Sequence, residues 1–186
     1  MTNSEKILDL VKGLSYEEYR TCIKLFQGTG NAEGNLREKP LADRLSTSKN
    51  FTVEGTQFPV PLDGVKRKKH KVDVLLSNET AVLAVNSKSN GKSNTLSDQS
   101  QIADMKAYTD GLKKLFPNKE IIYVLARNSD VKHGLLPEIL AMNVKEWSWA
   151  ELFSYTEVDA DLQVIEQEIM DSVLIKLQSN SLRWFS

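Results

Sequence analysis

The stretch HKVDVLLSNETAVLAVNSKSNGK, His70 to Lys92, decides the fold. Two short apolar runs flank a polar break. Asp73 opens the first run, and the triplet Asn86-Ser87-Lys88 closes the second. Short runs rich in valine and leucine, separated by turn residues, predict an antiparallel hairpin with strands over 71–77 and 80–86. A two-residue turn at Asn78-Glu79 would pair Ser77 with Thr80, Leu76 with Ala81 and Asp73 with Ala84. Side chains alternate along a strand, so Asp73, Ala84, Asn86 and Lys88 share one face. Val72, Val74, Leu76, Ala81, Leu83 and Val85 share the other, which is wholly aliphatic and must pack on helices.

Downstream, KSNGKSNTLSDQS is a polar loop. A helix then starts near Ser97 or Asp98 and runs to about Phe116, with Ile102, Met105, Leu112 and Phe116 on one face. EIIYVLA, 120–126, reads as a buried strand. LPEILAM is a short helix, NVKEW a short strand, and SWAELF a helix capped by Ser148. A last helix covers about 160–178, with Leu162, Ile165, Ile169, Val173 and Leu177 in line. Upstream, 4–13 is helical, and Ser15 to Glu18 forms a capping box that opens a second helix to about Phe26. GTGNAEGN breaks that helix, and 37–46 forms a third, with Pro40 in its first turn. FTVEGTQFPVPLDG, 51–64, reads as a short or edge strand because of Pro59 and Pro61.

A long helix joins the strand at 80–86 to that at 120–126, which makes the two parallel. The expected fold class is therefore α/β (α+β). It is a mixed sheet with an antiparallel meander and a parallel crossover strand, flanked by helices on both faces. With 186 residues the chain suits one domain spanning 1–186.

Apolar residues make up 40% and charged residues 26%, so wholesale disorder is not expected. The balance of 24 basic against 25 acidic residues means that a nucleic-acid partner must be held by a local basic patch. One cysteine, Cys22, rules out an intrachain disulfide, and its place on the stripe Tyr19, Cys22, Ile23, Phe26 makes it a core residue. No apolar run approaches membrane-spanning length, and MTNSEKILDL lacks a signal-peptide pattern. The expectation is a soluble cytoplasmic protein with no membrane partner.

One face of the hairpin thus gathers an acid, an amide and an amine at its open end. A carboxylate in an apolar strand is costly unless it is paired or bound to a metal. Either Asp73 and Lys88 form a partly solvated ion pair, which periodicity alone favours, or Asp73 holds a divalent ion beside Lys88.

At these residues the sequence resembles the PD-(D/E)XK nuclease superfamily, the fold of type II restriction endonucleases. Val72-Asp73 matches the first half-motif and Asn86-Ser87-Lys88 the second. The helix from Ser97 and the strand at 120–126 complete the pattern over roughly 51–127. The resemblance implies a Mg²⁺-dependent DNA endonuclease, with double-stranded DNA as partner and a homodimer to cut both strands. It implies Asp73 and Asn86 at the metal and Lys88 beside the attacking water. The chain departs from the pattern at Asn86, where the family carries an acid. Three readings stay open. The acid has moved, onto Asp104 or Asp98 of the following helix or onto Glu18. Or Asn86 replaces a native acid. Or the domain is a relative that binds without cutting. Gln101, Asp104 and Tyr108 share a helix face, either beside the site or as a solvated polar stripe.

KRKKHK, 66–71, sets five fixed positive charges and a histidine before Asp73. Such a run either solvates a sheet edge or contacts phosphates. With Lys88 and Lys92 near the same sheet end, Lys66, Arg67, Lys68, Lys69, Lys92, Asn94 and Gln101 are the DNA-binding candidates. Arg37, Arg44 and Lys49 are further candidates for base contact. His70, three residues from Asp73, should project to the opposite face, and His133 is a loop residue; neither forms a zinc site. Trp147, Trp149 and Trp184 read as core or interface residues.

Overall fold

The computed structural model describes residues 30–62, 69–88, 99–127 and 134–169, together with residues 13, 15, 171 and 172. The chain divides into two compact units, Met1–Leu41 with Asp161–Ser186, and Ala42–Ala160. The expected helices at 4–13 and from Ser15 to Phe26 lie almost wholly outside the described residues. In the first unit, residues 162–169 and 171–172 are helical, and Ile165 and Ile169 are buried, as their spacing predicts.

Helix α1, Gly30–Leu45, starts well before the expected residue 37 and runs through GNAEGN. Pro40 therefore sits inside the helix and not in its first turn. Two glycines and two asparagines argue locally against a helix, yet propensity is a weak prior that context overrides. Ser46, Thr47 and Ser48 turn the chain out of α1, and the Ser48 hydroxyl donates to Thr156 O at 2.6 Å.

The second unit is built on a five-stranded sheet in the order β1-β2-β3-β4-β5. Its elements are β1 Thr52–Pro61, β2 Lys69–Ser77, β3 Ala81–Ser87, α2 Gln99–Leu115, β4 Glu120–Arg127, α3 Pro137–Leu140, β5 Val144–Ser148 and α4 Trp149–Tyr155. The first three strands pair antiparallel, and β3–β4 and β4–β5 pair parallel. This is the expected mixed α/β sheet, with α2 as the crossover from β3 to β4. Strand β1 is an edge, as its prolines require, but it is ten residues long and not short.

The apolar content of β3 and β4 explains their central place. Ala81 to Asn86 and Ile121 to Arg127 are all buried, so both faces of these strands are covered. On one face Leu75, Val82, Ala84, Tyr123 and Leu125 pack with Met105, Tyr108 and Leu112 of α2, with Ile102 and Phe116 at the margin. The helix stripe read from sequence is thus the packed one. Ser148 caps α4: its hydroxyl accepts from Glu151 N at 3.2 Å, while Glu151 Oε2 accepts from Ser148 N at 2.8 Å. Trp149 is core, and Trp147 is half-buried with its ring 4.8 Å from that of Tyr155. Among the described residues no helix is long and apolar enough to cross a membrane.

The hairpin register differs from the expected one. Ser77 pairs with Val82, Leu76 with Leu83, Leu75 with Ala84 and Val74 with Val85. Asn78 is the cause. Its Oδ1 accepts from the backbone N–H groups of Thr80 at 3.0 Å and Ala81 at 2.8 Å, and its own N–H donates to Ala81 O at 2.9 Å. The tight turn therefore centres on Glu79-Thr80, one residue later than expected. A turn moved by one residue shifts the pairing by two, so the faces survive while the partners change.

Candidate active site at the open end of the β2–β3 pair

Carried one step beyond Val74–Val85, the observed register brings Asp73 level with Asn86. Side chains take over the pairing there. The Asp73 N–H donates to Asn86 Oδ1 at 3.2 Å, and the Ser87 N–H donates to Asp73 Oδ2 at 2.8 Å. The carboxylate and the amide are interlocked across the two strands. Ser87 leads directly to Lys88, whose N–H donates to Ala126 O of β4 at 2.8 Å. The parallel neighbour thus fixes the backbone of Lys88.

Gln57 on β1 completes the group. It is an exposed residue with a left-handed backbone, φ 48°, inside a strand. Its Nε2 donates to Asp73 Oδ1 at 3.3 Å. The register shift of the β1–β2 pair lies between Val53 and Gly55; beyond it the pairing runs Thr56–Val74 and then Phe58–Val72 in step, so Gln57 and Asp73 stand across from each other. Alternation in β2 breaks at the same point, because Val72 and Leu75 belong to one core cluster although three residues apart.

That break corrects the expected position of His70. Its ring stacks on Tyr108 of α2 at 3.7 Å and 9°, and its Nε2 lies 2.7 Å from Tyr123 Oη. Tyr123 pairs with Ala84, so His70 stands on the Asn86 face and not on the opposite one. On the helix face of Gln101, Asp104 and Tyr108, Tyr108 is buried while Gln101 and Asp104 are half-buried.

Electrostatics sharpen the picture. Burial raises the pKa of Asp73, and this outweighs the lowering by the Ser87 N–H, the Lys88 charge and the Gln57 amide, in that order. Burial also raises the Tyr123 hydroxyl well above its usual range, reinforced by Tyr108 and Asp73 and opposed by the Asn86 side chain. Lys88 acts on Asp73 as a nearby cation, and it is half-buried.

One row further on lies an ion pair that sequence reading missed. Asn86, Leu125 and Glu146 are in register across β3, β4 and β5. Glu146 Oε1 accepts from Arg127 Nε at 2.6 Å, with both side chains buried, and Glu146 Oε2 accepts from the Gly134 N–H at 3.1 Å. Arg127, just after the expected strand 120–126, and Glu146 within the expected strand NVKEW were the available signal. Tyr123, a polar tip in an aliphatic strand, was another. Gln57 left no mark in the sequence.

The donors fit Mg²⁺ only as a weakly charged set. Asp73 brings one carboxylate, and Asn86 and Gln57 bring amide groups. Among the described residues no three His, Cys, Asp or Glu side chains come together as a metal site. Each hydrogen-bonded oxygen of Asp73 and Asn86 keeps a second lone pair. Mg²⁺ is commonly held by one or two carboxylates completed by substrate phosphates and water, which this set matches. At Asp73 burial outweighs the Ser87 N–H, Lys88 and Gln57, a balance that a bound cation would shift toward the carboxylate.

The remaining candidates divide. Asp104 and Gln101 lie on α2, half-buried, and no described hydrogen bond or ion pair joins Asp104 to Asp73, Asn86 or Lys88. Arg37 is buried, which removes it as a base contact, while Arg44 is half-buried and Lys49 exposed. Lys69 opens β2, opposite Pro61. Glu18, Cys22, Lys66, Arg67, Lys68, Lys92, Asn94, Asp98, His133 and Trp184 lie outside the described residues. No family model, curated protein or solved structure matches the chain.

Proposed function

We propose that this protein is a Mg²⁺-dependent endonuclease acting on double-stranded DNA. One observation carries the reading. The Asp73 carboxylate stands at the open end of an antiparallel pair, tied to Ser87 N–H and under the charge of Lys88. Bound Mg²⁺, held by oxygens of Asp73 and Asn86, would supply Lewis acidity toward a phosphate oxygen.

The chain's own residues do the rest. The Lys88 ammonium donates hydrogen bonds, so it orients the attacking water and offsets charge gathering on the phosphate oxygens. The Lys88 N–H bond to Ala126 O holds its backbone still, so the amine is positioned from a rigid element. The water attacks in line at phosphorus as the P–O bond to the leaving sugar oxygen breaks; the water gives up a proton to solvent, solvent protonates the leaving oxygen, and no covalent enzyme intermediate forms. Cutting both strands needs two copies of the site, hence a homodimer. Lys69 and Lys71 of the basic run 66–71 lie on β2, the strand of Asp73, and the run supplies phosphate contacts. These properties suit a restriction enzyme of the cytoplasm.

A second reading has its own support. Asn86 carries no charge, and its oxygen already accepts the Asp73 N–H. That favours a relative that binds DNA without cutting. Incubation with genomic DNA and Mg²⁺ or Mn²⁺ separates the two. The nuclease reading expects chelator-sensitive cleavage by the unsubstituted chain, or by Asn86→Glu if the acid was replaced. If both bind DNA and neither cuts it, the binding reading takes its place.

A further inference from the structure

We infer that His70 and Tyr123 are positioning residues of the cation site, which hold the Asn86 amide with its oxygen, and not its nitrogen, toward Asp73 and the ion. The inference rests on the metal-dependent reading above. An asparagine offers an oxygen or an NH₂ from nearly the same place, and only the oxygen binds a cation. A carboxylate at position 86 would face no such choice.

Two contacts make the choice for Asn86. On one side its Oδ1 accepts from the Asp73 N–H at 3.2 Å. On the other stands the hydroxyl of Tyr123. Tyr123 pairs with Ala84, which lies two residues before Asn86 on the same face of β3, and both Tyr123 and Asn86 are buried. The Asn86 side chain hydrogen-bonds this hydroxyl and acts to lower its pKa, which is the effect of an N–H donor.

The same hydroxyl lies 2.7 Å from His70 Nε2. A phenol that accepts from Asn86 has its own proton to place, and an unprotonated Nε2 receives it. His70 is then neutral, with its proton on Nδ1. Tyr108 of α2 holds the imidazole by stacking on it at 3.7 Å and 9°. The donors and acceptors then run one way: Asp73 N–H to Asn86 Oδ1, Asn86 N–H to Tyr123 Oη, Tyr123 O–H to His70 Nε2. A His70 that carried its proton on Nε2 would donate to Tyr123 instead. The Tyr123 proton would then turn toward Asn86 and favour the flipped amide, whose NH₂ disfavours a cation.

Two measurements on the full-length protein test this. Long-range ¹H–¹⁵N correlation spectra at alkaline pH, with His133→Gln to assign the two histidines, read the tautomer of His70. The expected form carries its proton on Nδ1, and a proton on Nε2 overturns the inference. Mn²⁺ titration, followed by the loss of the free-ion electron paramagnetic resonance signal, reads the consequence in a double-mutant cycle of Tyr123→Phe and Asn86→Asp. Tyr123→Phe should weaken Mn²⁺ binding roughly ten-fold beside Asn86, and by less than about two-fold in Asn86→Asp, where both side-chain atoms are oxygens. Purely structural damage would weaken both backgrounds equally; that result overturns the inference and leaves the metal-dependent reading standing. Binding by Asn86→Asp but not by the unsubstituted protein also overturns it, since the amide is then no ligand. No Mn²⁺ binding by either protein overturns both the inference and the reading beneath it.

Discussion

Asp73 is a carboxylate that the fold holds at a cost. Three favourable groups surround it, the Ser87 N–H, Lys88 and Gln57, yet burial prevails and its pKa is raised above the ordinary 3.8. For such an acid the folded state prefers the protonated form. Its stabilising contribution is complete below pH 3.8, falls as pH rises through the raised folded value, and is absent at neutral pH. Asp73→Asn should therefore gain stability relative to the unsubstituted protein as pH rises through the mildly acidic range. Urea unfolding of both proteins at several pH values measures it. Parallel pH profiles would contradict it. Proteins commonly tolerate such a penalty where the charged form has work to do. Asp73, Asn86 and Lys88 were legible in the sequence because alternation and spacing depend on identity alone. Gln57 was not, since nothing in a glutamine announces a left-handed backbone.

At the level of elements, two close approaches fix the sheet under the site. Helix α2 meets β1 at Gly111, where an added Cβ would lie 2.4 Å from Pro61 O and 2.7 Å from Val60 Cγ1. The backbone carbonyl cannot yield cheaply, so Gly111→Ala should lower stability by about 1–3 kcal/mol in urea unfolding. An unchanged midpoint would mean that α2 is free to move. The second is the Arg127–Glu146 pair between β4 and β5. Removing one partner leaves a buried charge. Glu146→Leu should cost about 3–5 kcal/mol, and adding Arg127→Met should restore most of it. A double variant no better than the single one would contradict this. The elements themselves were largely legible. The buried strand of β4, the α2 stripe and the Ser148 capping box all follow from local pattern. The hairpin register was not, because it turned on which residue Asn78 would cap. Neither was the start of α1, where a Gly- and Asn-rich stretch is helical against its own propensity.

For the molecule as a whole, near-neutral charge dictates how DNA would be held. With a net charge of −1 there is no global attraction, so affinity must come from local clusters. Neutralising Lys66, Arg67, Lys68 and Lys69 together should weaken duplex binding at low salt and flatten its salt dependence. The slope should fall by up to about 0.9 for each phosphate that no longer meets a cation. An unaltered slope would mean that other residues hold the phosphates. The strand and helix order predicts the mixed sheet, because a hairpin must be antiparallel and a helical crossover parallel. The left-handed backbone of Gln57 opposite Asp73 has no local signature.

The most direct test is the rate of metal-dependent DNA cleavage by the unsubstituted protein beside Lys88→Met, with circular dichroism and DNA binding as controls. Cleavage that falls by about 10²–10³ in Lys88→Met, with fold and binding retained, is the expected result. Equal cleavage by the two proteins, or intact DNA with a folded, DNA-binding unsubstituted chain, would contradict it.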